Sequence, residues 1–455
     1  MKKRMYKIMA LAMTAAMVVP MAAQTTAFAA DDKEITYWNI AVESPDKDIV
    51  TAAVDKFNKE TESGYTVNSV AIQNDTYKEK LVIAMSSGEC PDMYSSWSGG
   101  PMYEYIDSGF AQPIDDLLDQ SDVKDKLLDA AIEQGSYNGH VYAIPYLNVS
   151  LAGIFYNKDM FKQYGLEEPK TLADLENICA TLKENGITPF ALANASKWTG
   201  SMYFMSLAAR YGGLEPFQNA VAGTGKFTDD CFIKAGEKIQ EWVNNGYFPD
   251  GVNSLSEDDG QAKQLMYQET AGMLLCGSWY TGTFQTDSEE FYQKIGWFPF
   301  PAIDDSDADP TIQIGTVGDQ FISFNCEGDK LAAAFECAAD HLSDEVEDMI
   351  YSTGKIAPVK DAGDHISDPV VKEIFDAAQE ASSIQLWYDQ YLPTSVASAH
   401  LDGLQEVFGL TKTPQEAQEE MQTAMDEYLS TKSDSGAADD TAEEATDDAA
   451  ADDAE

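Results

Sequence analysis

Two periodicities alternate along most of this chain. Residues 35–40 read as a strand, and 48–60 set Ile49, Val50, Val54 and Phe57 on one helical face. A second strand is expected over 65–72, a second helix over 77–85 and a third strand over 93–96. The second helix should stop at Ser86-Ser87-Gly88, where glycine can take the left-handed closing position. Strands and helices in this order predict a parallel sheet with covering helices. An acidic helical stretch follows, then a hairpin over 137–145 turned at Asn138-Gly139. The alternation restarts with a strand over 153–156 and a short helix over 158–164 ended by Gly165. Thr171, with Asp174 three residues on, forms a capping pair ahead of the stripe Leu172, Leu175, Ile178, Cys179 and Leu182. Strands are expected over 189–192 and 271–276, and helices over 229–246, 330–342, 369–382 and 414–429. Residues 312–325 read as one extended run.

At 455 residues the chain is too long for a single core, so at least two domains are expected. Lys2, Lys3, Arg4 and Lys7, an apolar run over 8–23 and Ala27-Phe28-Ala29 have the layout of an export signal, residues 1–29. No cysteine falls in that segment, so no lipid-attachment site is read there. No later apolar run is long enough to span a bilayer. An exported, extracellular or cell-surface protein is expected, periplasmic if the source has an outer membrane. The last stretch, 431–455, is rich in Ala, Asp and Glu without an aromatic residue after Ser433, and reads as a disordered acidic tail.

The formal charge is −49, and loss of the signal would leave 25 basic against 78 acidic residues. Such a surface repels phosphate backbones and anionic lipids, which argues against nucleic acid and membrane partners. Arg4 and Arg210 are the only arginines, and bidentate capture of carboxylates or phosphates leans on arginine. The ligand should be neutral or cationic. Six scattered cysteines form no CxxC pair, so no metal site is read from them.

No catalytic constellation survives inspection. Carboxylates are too abundant for any two to mark a glycosidase pair, and the four histidines form no HExxH. Gly223-Thr224-Gly225-Lys226-Phe227 is too short for a phosphate loop, and Pro310 and Thr316 break the calcium-loop pattern begun at Asp305. No cofactor or metal is called for. Tryptophan placement is what remains. Trp242 lies in a plain amphipathic helix, and Trp38 and Trp297 fit ordinary packing. Trp97, Trp198 and Trp279 instead abut Ser, Thr or Gly just past strand ends, and Trp387 stands in Gln385-Leu386-Trp387-Tyr388-Asp389. Large flat rings at polar tips suit stacking on sugar rings, with Asn, Asp and Tyr bonding to hydroxyls.

Five stretches in order give the chain a wider resemblance: KLVIAMSSGECPDMYSSW, GHVYAIPYLNVSLAGIFYNKDMF, EPKTLADLENICATLKENGITP, AGMLLCGSWYTG and KIAPVK. With LWYDQYLPTSVASAHLDGLQEVF it resembles the substrate-binding proteins of carbohydrate ABC importers, the family of maltose-binding protein, nearest the raffinose and multiple-sugar kind. The resemblance implies an α/β, two-lobed periplasmic-binding-protein-like fold of type II, hinged, with the ligand in the interlobe cleft. It implies a first lobe of 30–143 plus 312–350 and a second of 144–311 plus 351–430. By motif, Trp97, Trp279 and Trp387 match ligand-contact positions, and Tyr146, Asn148, Trp198, Tyr280 and Asp319 fall in cleft-facing loops. The function expected is non-enzymatic binding of a neutral oligosaccharide by a monomer that delivers it to ABC permease transmembrane subunits. A secreted glycoside hydrolase and a polysaccharide-binding surface protein are the alternatives.

Overall fold

The computed structural model describes residues 33–447, with side chains as far as 432. The export-signal reading, and the end of the chain past 447, fall outside the described residues. Two mixed sheets organise the remainder. In the first, Glu34–Asn39 runs parallel to both Thr66–Ala71 and Met93–Ser96. Phe321–Phe324 then lies antiparallel between Met93–Ser96 and Ala143–Pro145. The second sheet is built on Ser150–Asn157, antiparallel to Ala271–Gly277, Ile295–Pro299 and Gln313–Thr316. Thr188–Phe190 extends it as a parallel neighbour of Ala271–Gly277.

Local chemistry sets the helix ends. The Asn74–Ser87 helix closes at Gly88, φ +75°, whose N–H returns to the carbonyls of Ala84 and Met85. Thr171 and Asp174 cap the Leu172–Glu184 helix reciprocally, and all five residues of the expected stripe are buried. Trp242 is buried in the second lobe, with its ring N–H donated to Glu176 at 2.9 Å.

Three differences from the sequence reading matter. Residues 312–325 are two strands in two sheets, Gln313–Thr316 in the second and Phe321–Phe324 in the first. Ala143–Pro145 also belongs to the first sheet. The crossings therefore fall at 146–149 and 317–320 rather than at 143 and 312. Finally, the Pro414–Asp447 helix runs into the stretch that composition reads as an unstructured tail. The alanine and glutamate in which this stretch is rich are also strong helix formers.

A third passage between the lobes follows the Asp344–Ser352 helix, and the three crossings are hydrogen-bonded into one hinge. Asp319 N–H donates to the Asn148 carbonyl at 2.7 Å, and Val149 N–H to the Ile356 carbonyl at 2.7 Å. Among the described residues, no helix is long and apolar enough to cross a membrane.

Candidate functional site

Between the lobes lies a cavity of about 510 Å³, within the usual range for small-molecule sites. The first lobe contributes residues just beyond the carboxyl ends of its parallel strands. Ile40 follows Glu34–Asn39, Gln73 and Asn74 follow Thr66–Ala71, and Trp97 follows Met93–Ser96. This is where an open α/β sheet leaves a crevice. The second lobe answers with Trp198, which begins the Trp198–Gly212 helix, with Trp279 and Tyr280 after Ala271–Gly277, and with Trp387.

Three of these rings form a continuous wall. The Trp198 and Trp279 centroids are 6.0 Å apart, and those of Trp279 and Trp387 5.9 Å, with planes at 59° and 69°. Trp97 stands on the opposite lobe, edge-on to Tyr77 at 6.0 Å, with the Lys78 ammonium 4.9 Å from its ring centre. Each ring is seated by its neighbours. Lys197, at φ +65°, turns the chain just ahead of Trp198, a conformation that costs energy in a non-glycine residue. Trp279 folds back over Gly277, where an added Cβ would come within 2.0 Å of the indole. Gly277→Ala should therefore displace Trp279. We expect the melting temperature to change little and ligand affinity, by calorimetry, to fall at least tenfold.

Six of the eight residues singled out in the sequence line this cavity: Trp97, Trp198, Trp279, Tyr280, Asp319 and Trp387. Two do not. Tyr146 is fully buried in the first lobe, its hydroxyl donating to Gln320 at 2.9 Å and its ring 4.8 Å from that of His341. Asn148 is 1 % exposed and serves the hinge, its Oδ1 accepting Ile356 N–H at 2.8 Å. Both lie in the crossing 146–149, whose hydrogen bonds turn inward to the other crossings. Sequence reasoning missed the carboxylates Glu257, Asp258, Asp259 and Asp389, and the lysines Lys78 and Lys263. The run Glu257-Asp258-Asp259 before Gly260 was the available signal, hidden among 78 acidic residues.

The lobes are joined across the cavity mouth. Lys78 meets Asp389 at 3.3 Å, Lys263 meets Glu43 at 3.6 Å, and Asp75 N–H donates to Asp258 at 3.2 Å. At the hinge, buried Lys355 is paired with Asp46. Burial pushes the Asp319 carboxyl up to about 7, with Lys355 opposing the rise and Asp46 adding to it. Burial likewise lifts Glu257 to about 7, although the Tyr280 hydroxyl and Lys263 pull the other way. Both groups hold protons more tightly here than in the unfolded chain. Their contribution to stability is whole below about pH 4 and is lost as pH rises through about 7. Melting scans should therefore show a decline from pH 4.5 to 7.5 that is shallower in Asp319→Asn.

The family model for bacterial extracellular solute-binding proteins matches residues 41–339. An uncharacterized ABC transporter extracellular-binding protein of Pyrococcus horikoshii is 32% identical over 228 residues, 50% of each chain. A multiple sugar-binding protein of Streptococcus mutans is 30% identical over 178 residues, 36% of this chain and 39% of that one. The chain spans about half the length, or less, of these curated relatives. A solved structure, from work on xylan utilization by the thermophilic bacterium Caldanaerobius polysaccharolyticus, is 29% identical with a TM-score of 0.78. That likeness covers 86% of this chain and 99% of the other. The family match extends over more than half of the sequence, and the chain belongs to the bacterial extracellular solute-binding proteins.

Proposed function

We propose that this protein is the substrate-binding component of a carbohydrate ABC importer. It holds a neutral oligosaccharide between its lobes and hands it to membrane permease subunits. The observation that carries this reading is the indole wall of Trp198, Trp279 and Trp387 facing Trp97 across a polar cavity. Indole faces cover the apolar faces of pyranose rings, while Gln73, Asn74, Asp319 and Gln390 offer partners for hydroxyls. Support also comes from the relative named as a multiple sugar-binding protein and from the structural neighbour tied to xylan utilization. The protein acts as an exported monomer outside the cytoplasmic membrane. Closure of the lobes is driven by the ligand's preference for the joined form.

One observation favours the hydrolase alternative: two cavity carboxyls sit near pH 7, the range of a general acid. A single experiment separates the readings. Calorimetry against malto-oligosaccharides, xylo-oligosaccharides and α-galactosides should find a tight ligand, and chromatography of the same mixtures should find it intact. Released product would end the receptor reading.

A further inference from the structure

The cavity wall holds an unequal balance of charge. Among the described residues lining it, the cations are Lys78 and Lys263, and both already face carboxylates. Lys78 is 3.3 Å from Asp389, and Lys263 is 3.0 Å from Asp287 and 3.6 Å from Glu43. Arg210 is buried elsewhere, its guanidinium donating to the carbonyls of Phe300 and Ile312. Glu257, Asp258, Asp259 and Asp319 line the same space, and among the described residues none of them has a cation within ion-pair distance. The Asp319 side chain makes no hydrogen bond among the described residues. The Trp387 ring is 2 % exposed, and among the described residues its buried Nε1–H has no acceptor.

We propose that this cavity is a charge filter: it admits neutral and amine-bearing oligosaccharides and rejects acidic ones, with Glu257 and Asp319 setting the discrimination. The inference rests on the oligosaccharide reading above and narrows it. A sugar carboxylate closed into this space would lie beside surplus acids in a weakened dielectric, with every cation already engaged. An uncompensated buried charge of that kind is strongly unfavourable. An ammonium would meet acceptors on two sides. From Glu257 it would face Tyr280, Lys263, Asp258 and Asp75, and from Asp319 it would face Lys355 and Asp46. The raised carboxyls support the same conclusion. A cationic guest would draw their protons off, and an anionic guest would drive proton uptake.

The test uses the full mature chain and three derivatives of whichever neutral tetrasaccharide binds it. These are the reduced alditol, the aldonate oxidised at the reducing end, and the 1-amino-1-deoxyalditol. Calorimetry at pH 7, in buffers of different ionisation enthalpy, reads affinity and proton exchange together. The aldonate should bind at least tenfold more weakly than the alditol, and the amine at least as tightly as the alditol, with net proton release. Glu257→Gln and Asp319→Asn should narrow the aldonate-to-alditol ratio towards one, whatever they do to the alditol itself. Equal binding of aldonate and alditol to the parent protein, or a ratio unmoved in both variants, overturns the filter and leaves the receptor reading standing. If no neutral tetrasaccharide binds, the receptor reading falls and the filter with it.

Discussion

Trp279→Ala should weaken oligosaccharide binding by about 30- to 150-fold, a loss of about 2–3 kcal/mol, the scale of a buried aromatic anchor. The ring is the middle of the three-indole wall, 6.0 Å from Trp198 and 5.9 Å from Trp387. Removing it opens a gap in the stacking surface and frees both neighbours to tilt. The fold should persist, because Trp279 lies past the end of Ala271–Gly277, over Gly277, and only partly buried. Trp297→Ala makes the contrast. That ring is 2 % exposed in the core, pressed on Gly153, and its loss should cost about 3–5 kcal/mol of stability. Calorimetry and thermal melting on both variants check the pair. Trp279→Ala binding at parental strength would remove the wall from the ligand site.

Much of this site was legible because its chemistry is written locally. A tryptophan next to serine and glycine, just past an apolar run, is visible without any tertiary information. So is a helix stop such as Gly88, and so is the Thr171–Asp174 cap. The boundary between lobes is not of that kind. Residues 313–316 and 321–324 are both extended and apolar, and only their partners differ. Gly315 lies opposite Leu151 in one sheet, and Phe321 opposite Ser96 in the other. Pairings separated by more than a hundred residues leave no mark on local periodicity. Tyr146 and Asn148 fall outside the cavity lining for the same reason, since the partners that turn them inward, Gln320 and Ile356, lie on other crossings. Glu257 went unseen because acid residues are common here, and only burial singles it out.

Gly99 and Gly100 carry the second large effect. Both follow closely on Trp97, and each lies against backbone of the opposite lobe. A Cβ on Gly99 would stand 2.3 Å from the Gln390 carbonyl oxygen, and one on Gly100 2.3 Å from that of Leu392. Gly99 has φ +114°, so a substitution there would also strain its own chain. Gly100 carries no such burden, since it opens the Gly100–Asp107 helix, where alanine is the better helix former. Gly100→Ala should thus leave the first lobe as stable as before while holding the lobes apart. Overpacking of this sort costs about 1–3 kcal/mol, which here falls on closure and weakens binding about 5- to 150-fold. Glu104, one turn on, supplies a milder version. Its carboxylate accepts Thr394 N–H at 3.0 Å and the Thr394 hydroxyl at 2.6 Å, capping the Thr394–Phe408 helix from across the cleft. Loss of a cap costs about 1 kcal/mol, so Glu104→Ala should weaken binding about fivefold. Small-angle scattering with ligand should find Gly100→Ala more extended than the parent. If it proves equally compact and equally tight in binding, the glycine contact is no part of the ligand-holding form.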